Sequence, residues 1–154
     1  MPCDATGPNM PTEPGQRRAF WTALLANAIW INASEIFRYF VFVMPMMREA
    51  FPQIDDVAPM NFGVFMIWGA WDTLLLFAAT GFTWLMLVQF GSGIRNAVLA
   101  GTAVWAGIFG ILWLGLFNMN LATGAVLAVA LPLAWLEMVV AALLVRWCLL
   151  AAQA

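Results

Sequence analysis

Glu35, Arg38, Asp72 and Glu137 are ionisable side chains set inside stretches that are otherwise almost wholly apolar. Each costs about 2.5–3.5 kcal/mol to place at the centre of a membrane-spanning helix. A chain that carries such groups pairs them, turns them inward, or uses them. Glu35 and Arg38 are spaced i, i+3 and so share one face of a helix. Asp72 offers Arg38 a further carboxylate from a neighbouring helix, since one guanidinium has five donors and can serve two acids. Three acids against one arginine leave an excess of negative charge. Glu137 is the acid expected to carry a proton or a bound cation, because its own helix offers no cation at that depth. Arg146 lies further along and on the opposite azimuth. A carboxyl that loses and regains a proton is what general acid–base catalysis or proton coupling requires. The same four residues also suit plain assembly, in which polar pairs between membrane helices contribute about 0.6 kcal/mol each.

The residues around them fit a binding cavity. Asn27, Ser34 and Arg38 fall on one stripe of a helix, with Glu35 one step around. Asn61, Phe65, Trp68 and Asp72 share a face of the next helix, and Trp71 adjoins it. Pro132 leaves the carbonyl of Ala128 without its amide donor, a turn before Glu137, and Trp135 is close by. Trp30, Trp68, Trp71 and Trp135, if turned inward, would wall a pocket containing carboxyl groups. Such a lining attracts an organic cation or a carbocation-like transition state. The expected catalytic set is therefore Glu137, Asp72 and Glu35. Arg38, Trp68, Trp71, Trp135, Asn27 and Ser34 are the expected substrate-binding set. The competing reading is that the tryptophans fill the core or face lipid.

The composition says which elements must carry these groups. The chain has 154 residues, 64% apolar and 9% charged, with a mean hydropathy of +0.89. A soluble domain would carry about a quarter charged residues, so too few polar side chains exist here to cover a water-facing surface. Apolar runs at about 20–47, 62–90, 97–117 and 124–150 each reach the roughly 20 residues that a bilayer crossing needs. Pro52 and Pro59 mark the first connection, Gly91-Ser92-Gly93 the second and residues 118–123 the third. The sequence therefore predicts an all-α, four-helix transmembrane bundle running up-down-up-down at 19–154, because short links set neighbouring helices antiparallel. Residues 1–18, with four prolines and almost nothing to bury, are expected to form a disordered tail.

Counted from the outer ends of the spans, Glu35, Arg38, Asp72 and Glu137 agree in depth to within roughly 6 Å, at 1.5 Å of rise per residue. One layer near mid-bilayer follows. Arg17, Arg18, Arg95 and Arg146 fall on one side and Arg48 on the other, so the positive-inside rule puts both termini in the cytoplasm. Trp21, Trp84 and Trp147 suit an aromatic belt at that inner face. Phe51, Ile54 and Val57 make the outer connection a short amphipathic turn or a tether. Ala100, Ala103, Gly107 and Gly110 form a stripe of small residues on the third span, suited to close packing or to a homodimer seam.

Several function classes drop out. All six basic residues are arginine and eight residues are acidic, for a net charge of −2, so nucleic-acid binding is not expected. There is no histidine, and Cys3 and Cys148 are far apart in the chain. Histidine-ligated haem or zinc, catalytic triads built on histidine and a disulfide framework are excluded, and no metal or redox cofactor is implied. What remains is an integral membrane protein, and its best reading is acid–base chemistry of the isomerase or cyclase type on a lipophilic small molecule. One alternative is a proton-coupled transporter of a small cationic or lipophilic solute. Another is a non-catalytic membrane subunit or assembly factor.

Overall fold

Local signals in the chain place the helix ends. A computed structural model describes residues 13–57, 59 and 61–153, and among them it is helical with short connections and no strand. The first helix, α1, spans Glu13–Arg38. Pro14 sits in its first turn, where a missing amide hydrogen costs nothing. The tail expected over residues 1–18 is therefore corrected at 13–18, which are helical; residues 1–12 lie outside the described residues. A π-helical turn, Tyr39–Val43, joins α1 to α2, Met44–Ala50. Pro45 explains the widened turn, because its ring would clash with a carbonyl one regular turn earlier.

Asn61 caps α3 (Phe62–Phe90), its side chain accepting from the amide of Val64 at 3.0 Å. Gly91 follows with φ +93°, a conformation that disfavours any side chain. Asn96 then donates to the carbonyls of Phe90 and Gly91 at 2.7 and 2.9 Å, satisfying the open end of α3. The third span is α4 (Ile94–Trp105), a π-helical turn (Ala106–Gly110) and α5 (Ile111–Asn118) in continuous succession. It begins three residues before the expected 97. Thr123 caps the last helix, α6 (Gly124–Ala151). Arg146 of α6 donates to the carbonyl of Ser92 at 2.9 Å, which ties the α3–α4 connection onto that helix.

Helix α6 is the most buried element and packs on α1, α4 and α3. Small side chains line these seams: Ala23, Ala97, Ala100, Ala130 and Ala134 are fully buried. At Gly101 a Cβ would stand 2.6 Å from the carbonyl oxygen of Met138 and 2.8 Å from the Cα of Val139. That glycine, one position beside the stripe read from sequence, sets the closest approach of α4 and α6. Ala103 and Gly107 of the stripe are exposed.

Large apolar side chains cover the outside instead. Ile29, Ile67, Leu74 and Ile111 are each about 70% exposed. Water does not tolerate a girdle of this kind, but hydrocarbon does. Three helices are long and apolar enough to cross a membrane: Phe62–Phe90, Ile94–Asn118 and Gly124–Ala151. The first segment does not join them, because Arg17, Arg18, Asn27, Asn32, Glu35 and Arg38 dilute its apolar residues.

Candidate functional site

Arg38 is the last residue of α1 before the π turn, and it is 5% exposed. Its guanidinium pairs with Glu35 on the same helix face. The second carboxylate is Glu137 of α6, with Nη1 of Arg38 3.2 Å from Oε2. Ser34 donates its hydroxyl to that same Oε2 at 2.9 Å. Glu137 itself is 1% exposed, and its backbone carbonyl accepts the indole N–H of Trp30 at 3.0 Å. Beneath the guanidinium lies the ring of Phe109, buried in the second π turn, with the guanidinium carbon 4.8 Å from its centroid. The cation is thus held by two acids and an aromatic face.

Two expectations are corrected here. Arg38 finds its second acid in Glu137 on α6 and not in Asp72, the further carboxylate that the sequence offers it. Glu137 was read as the acid lacking a cation, and it has one. The reason lies in the packing. Helix α1 runs closely along α6, whereas the Tyr39 and Trp68 rings meet edge to face at 4.2 Å between the π turn and α3. A side chain on α3 at this level therefore faces a cavity.

That cavity has a volume of about 310 Å³. Glu35, Arg38, Trp68, Trp71 and Asp72 line it, as the sequence suggested. No ion pair joins Asp72 to Arg38, so its carboxyl stands on the wall without an ionic partner among the described residues. Tyr39, Phe109 and Trp113 also face the space, and sequence reasoning missed all three. Tyr39 is the single tyrosine of the chain and directly follows Arg38, which was the available signal. Phe109 carried no signal, because nothing in a run of apolar residues says which one will lie under a cation. Val57 of the outer connection reaches the cavity wall, while Ile54 is about half exposed.

The remaining predicted residues are placed elsewhere. Asn27 is fully buried and donates to the hydroxyl of Thr80 at 3.0 Å, about 16 Å along α1 from Arg38. Trp135 turns away from Arg38 and donates to Thr102 at 3.0 Å, bordering an apolar groove with Trp105 and Pro132. An indole N–H seeks the nearest acceptor when no water is present, and Thr102 on α4 supplies it. Ser34 and Glu137 line a second cavity of about 260 Å³ on the α1–α6 side, which Arg38 also borders. Among the described residues, no group of three or more acids, cysteines or histidines could hold a metal ion.

Chemically, the arrangement provides one carboxyl without an ionic partner among the described residues, two carboxylates fixed by one cation, and aromatic side chains beside them. No protein-family model, curated protein or solved structure matches this chain.

Proposed function

We propose that the Arg38 cavity carries out acid–base chemistry, of the isomerase or cyclase type, on a lipophilic small molecule. The proposal includes the full membrane arrangement: four helices crossing up-down-up-down, with both termini in the cytoplasm. It also includes a homodimer joined through the exposed Ala103 and Gly107 of the third span. The observation that carries the chemical reading is Asp72, an acid without an ionic partner on the wall of a cavity otherwise lined mainly by apolar and aromatic side chains. Two carboxyl groups in unlike surroundings can take opposite roles in proton transfer. Asp72 exchanges the proton with substrate. Glu35, held by Arg38, orients the substrate or receives the proton from the other side. Tyr39, Trp68, Trp71 and Trp113 offer ring faces to positive charge that develops in the transition state. Glu137, which the sequence puts in the catalytic set, serves in this reading as the counter-ion that keeps Arg38 in place.

The test is proton transfer itself. Proteoliposomes of the full chain are incubated in heavy water with a panel of unsaturated isoprenoids and sterols, which are then weighed by mass spectrometry. Deuterium enters a substrate with the wild type and not with Asp72→Asn. Equal incorporation by both proteins overturns the proposal.

A second reading, proton-coupled transport, is favoured by one observation. Arg38 borders two cavities, of about 310 and 260 Å³, so one buried cation is shared by two spaces that a solute could occupy in turn. Substrate moving across proteoliposomes under a pH gradient, with its chemical structure unchanged, would replace the enzyme reading with this one. If Asp72→Asn changes neither turnover nor flux, what remains is an assembly role.

A further inference from the structure

The arginines of this chain are unevenly placed. The start of α1, the end of α3, the start of α4 and the end of α6 meet around Ala23, Leu87, Ala97, Val145 and Cys148. Arg17, Arg18, Arg95 and Arg146 belong to those segments, against a single acid, Glu13, among the described residues. Arg146 is engaged by the carbonyl of Ser92. Arg17 and Arg18 are exposed and form no ion pair among the described residues.

The surroundings of these two arginines are amphipathic. Both border a hollow on α1 together with Trp21, and Arg18 also borders a hollow of about 280 Å³ against Trp147 of α6. The two indoles are 53% and 63% exposed, as rings with one apolar and one polar end are at the level of lipid headgroups. Further along α1, Leu25, Ile29 and Ile36 fall on the same stripe as Arg18 and Trp21, and each is more than half exposed. From Arg18 to Ile29 that stripe runs about 16 Å, at 1.5 Å of rise per residue. Helix α1 is too polar to stand among the three membrane-compatible helices, so it gains most from a ligand that joins its charges to hydrocarbon.

The occupant needs an anionic head and a long apolar tail. Inorganic phosphate and an acidic peptide offer the charge without the tail. Phosphatidylcholine carries its own cation beside the phosphate and leaves the arginine charge uncompensated. We infer that the Arg17–Arg18 end of α1 binds an anionic phospholipid, its phosphate held by the two guanidinium groups and one acyl chain lying along Trp21, Leu25 and Ile29. Guanidinium donors are matched to phosphate oxygens in geometry as well as charge. The site lies about 30 Å along α1 from Arg38 and is independent of the chemistry proposed for Asp72.

The experiment titrates the full chain in dodecyl maltoside micelles with phosphatidylglycerol or with phosphatidylcholine of the same acyl chains. Bound lipid is counted by native mass spectrometry. An arginine beside an anionic headgroup contributes about fivefold in affinity, so phosphatidylglycerol binds about 25-fold tighter than phosphatidylcholine. The double variant Arg17→Gln, Arg18→Gln removes that preference. Arg95→Gln deletes the same charge at the same end of the fold but away from the α1 stripe, and leaves the preference within about twofold. Equal affinity for the two lipids, a preference that survives in the double variant, or as large a loss in Arg95→Gln as in Arg18→Gln overturns the inference. Displacement of the lipid by millimolar inorganic phosphate overturns it as well, because the apolar stripe would then contribute nothing.

Discussion

The guanidinium of Arg38 stands 4.8 Å from the ring centre of Phe109, and the contact joins the two places where regular helix gives way to a π turn. Arg38 closes α1 immediately before the first such turn, and Phe109 lies within the second. A π turn inserts an extra residue and re-aims the side chains around it, which is why such turns recur at functional sites. In this chain they bring a cation and an aromatic face together beside two acids. Four predictions follow from that geometry and from the seam that supports it.

Arg38→Met leaves Glu137 buried with no cation. Breaking a buried pair from one side costs about 3–5 kcal/mol. Thermal unfolding in detergent should show a loss of that order. The triple variant Arg38→Met, Glu35→Leu, Glu137→Leu should recover much of it, because replacing all members of a buried ionic cluster by apolar groups is often neutral. Unchanged stability in the single variant would mean that the pair is open to water.

Asp72→Asn should leave stability within about 0.5 kcal/mol of the wild type, since no ionic partner is lost. The contrast with Arg38→Met is measured in the same unfolding experiment. A large loss at Asp72 would reveal an ionic partner and weaken its assignment as the proton-exchanging group.

Ser34→Ala removes the hydroxyl that donates to Oε2 of Glu137. Hydrogen bonds between membrane helices average about 0.6 kcal/mol with a maximum near 1.7, and a charged acceptor favours the upper end. A loss of about 1–2 kcal/mol is expected. Ser34→Cys, with its weaker donor, should fall between the two.

Gly101→Ala places a methyl group 2.6 Å from the carbonyl oxygen of Met138, so α4 and α6 must separate. Overpacking of this kind costs about 1–3 kcal/mol. Gly69→Ala, on α3, meets nothing within 4 Å and should be neutral in the same assay. Equal effects at the two glycines would show that the α4–α6 seam lies elsewhere.

Much of the architecture was written locally in the chain. Long apolar runs select hydrocarbon as their surroundings whatever the neighbours do, and Gly91, Asn61 and Thr123 act on the backbone within a few residues of themselves. The ionisable residues also announced themselves, because each is costly in an apolar stretch and therefore stands out without any knowledge of its partner. Pro45, inside the apolar run at 20–47, is the local cause of the first π turn, a signal that the reading of the sequence passed over.

Partner choice was not legible in the same way. Whether Arg38 meets Asp72 or Glu137 depends on how α1 rotates and slides against α3 and α6. That depends in turn on the volumes of side chains distant in sequence: a glycine at 101, alanines at 130 and 134, and the Tyr39–Trp68 ring pair. The same packing turned Trp135 toward Thr102 and kept Asn27 with Thr80. Residue type and spacing specify an element and its faces, whereas the meeting of faces is a property of the whole packed set. The chain alone therefore determined a membrane-compatible helical protein with buried charge. Tertiary packing alone decided that Arg38 joins Glu35 to Glu137 and leaves Asp72 alone on a cavity wall.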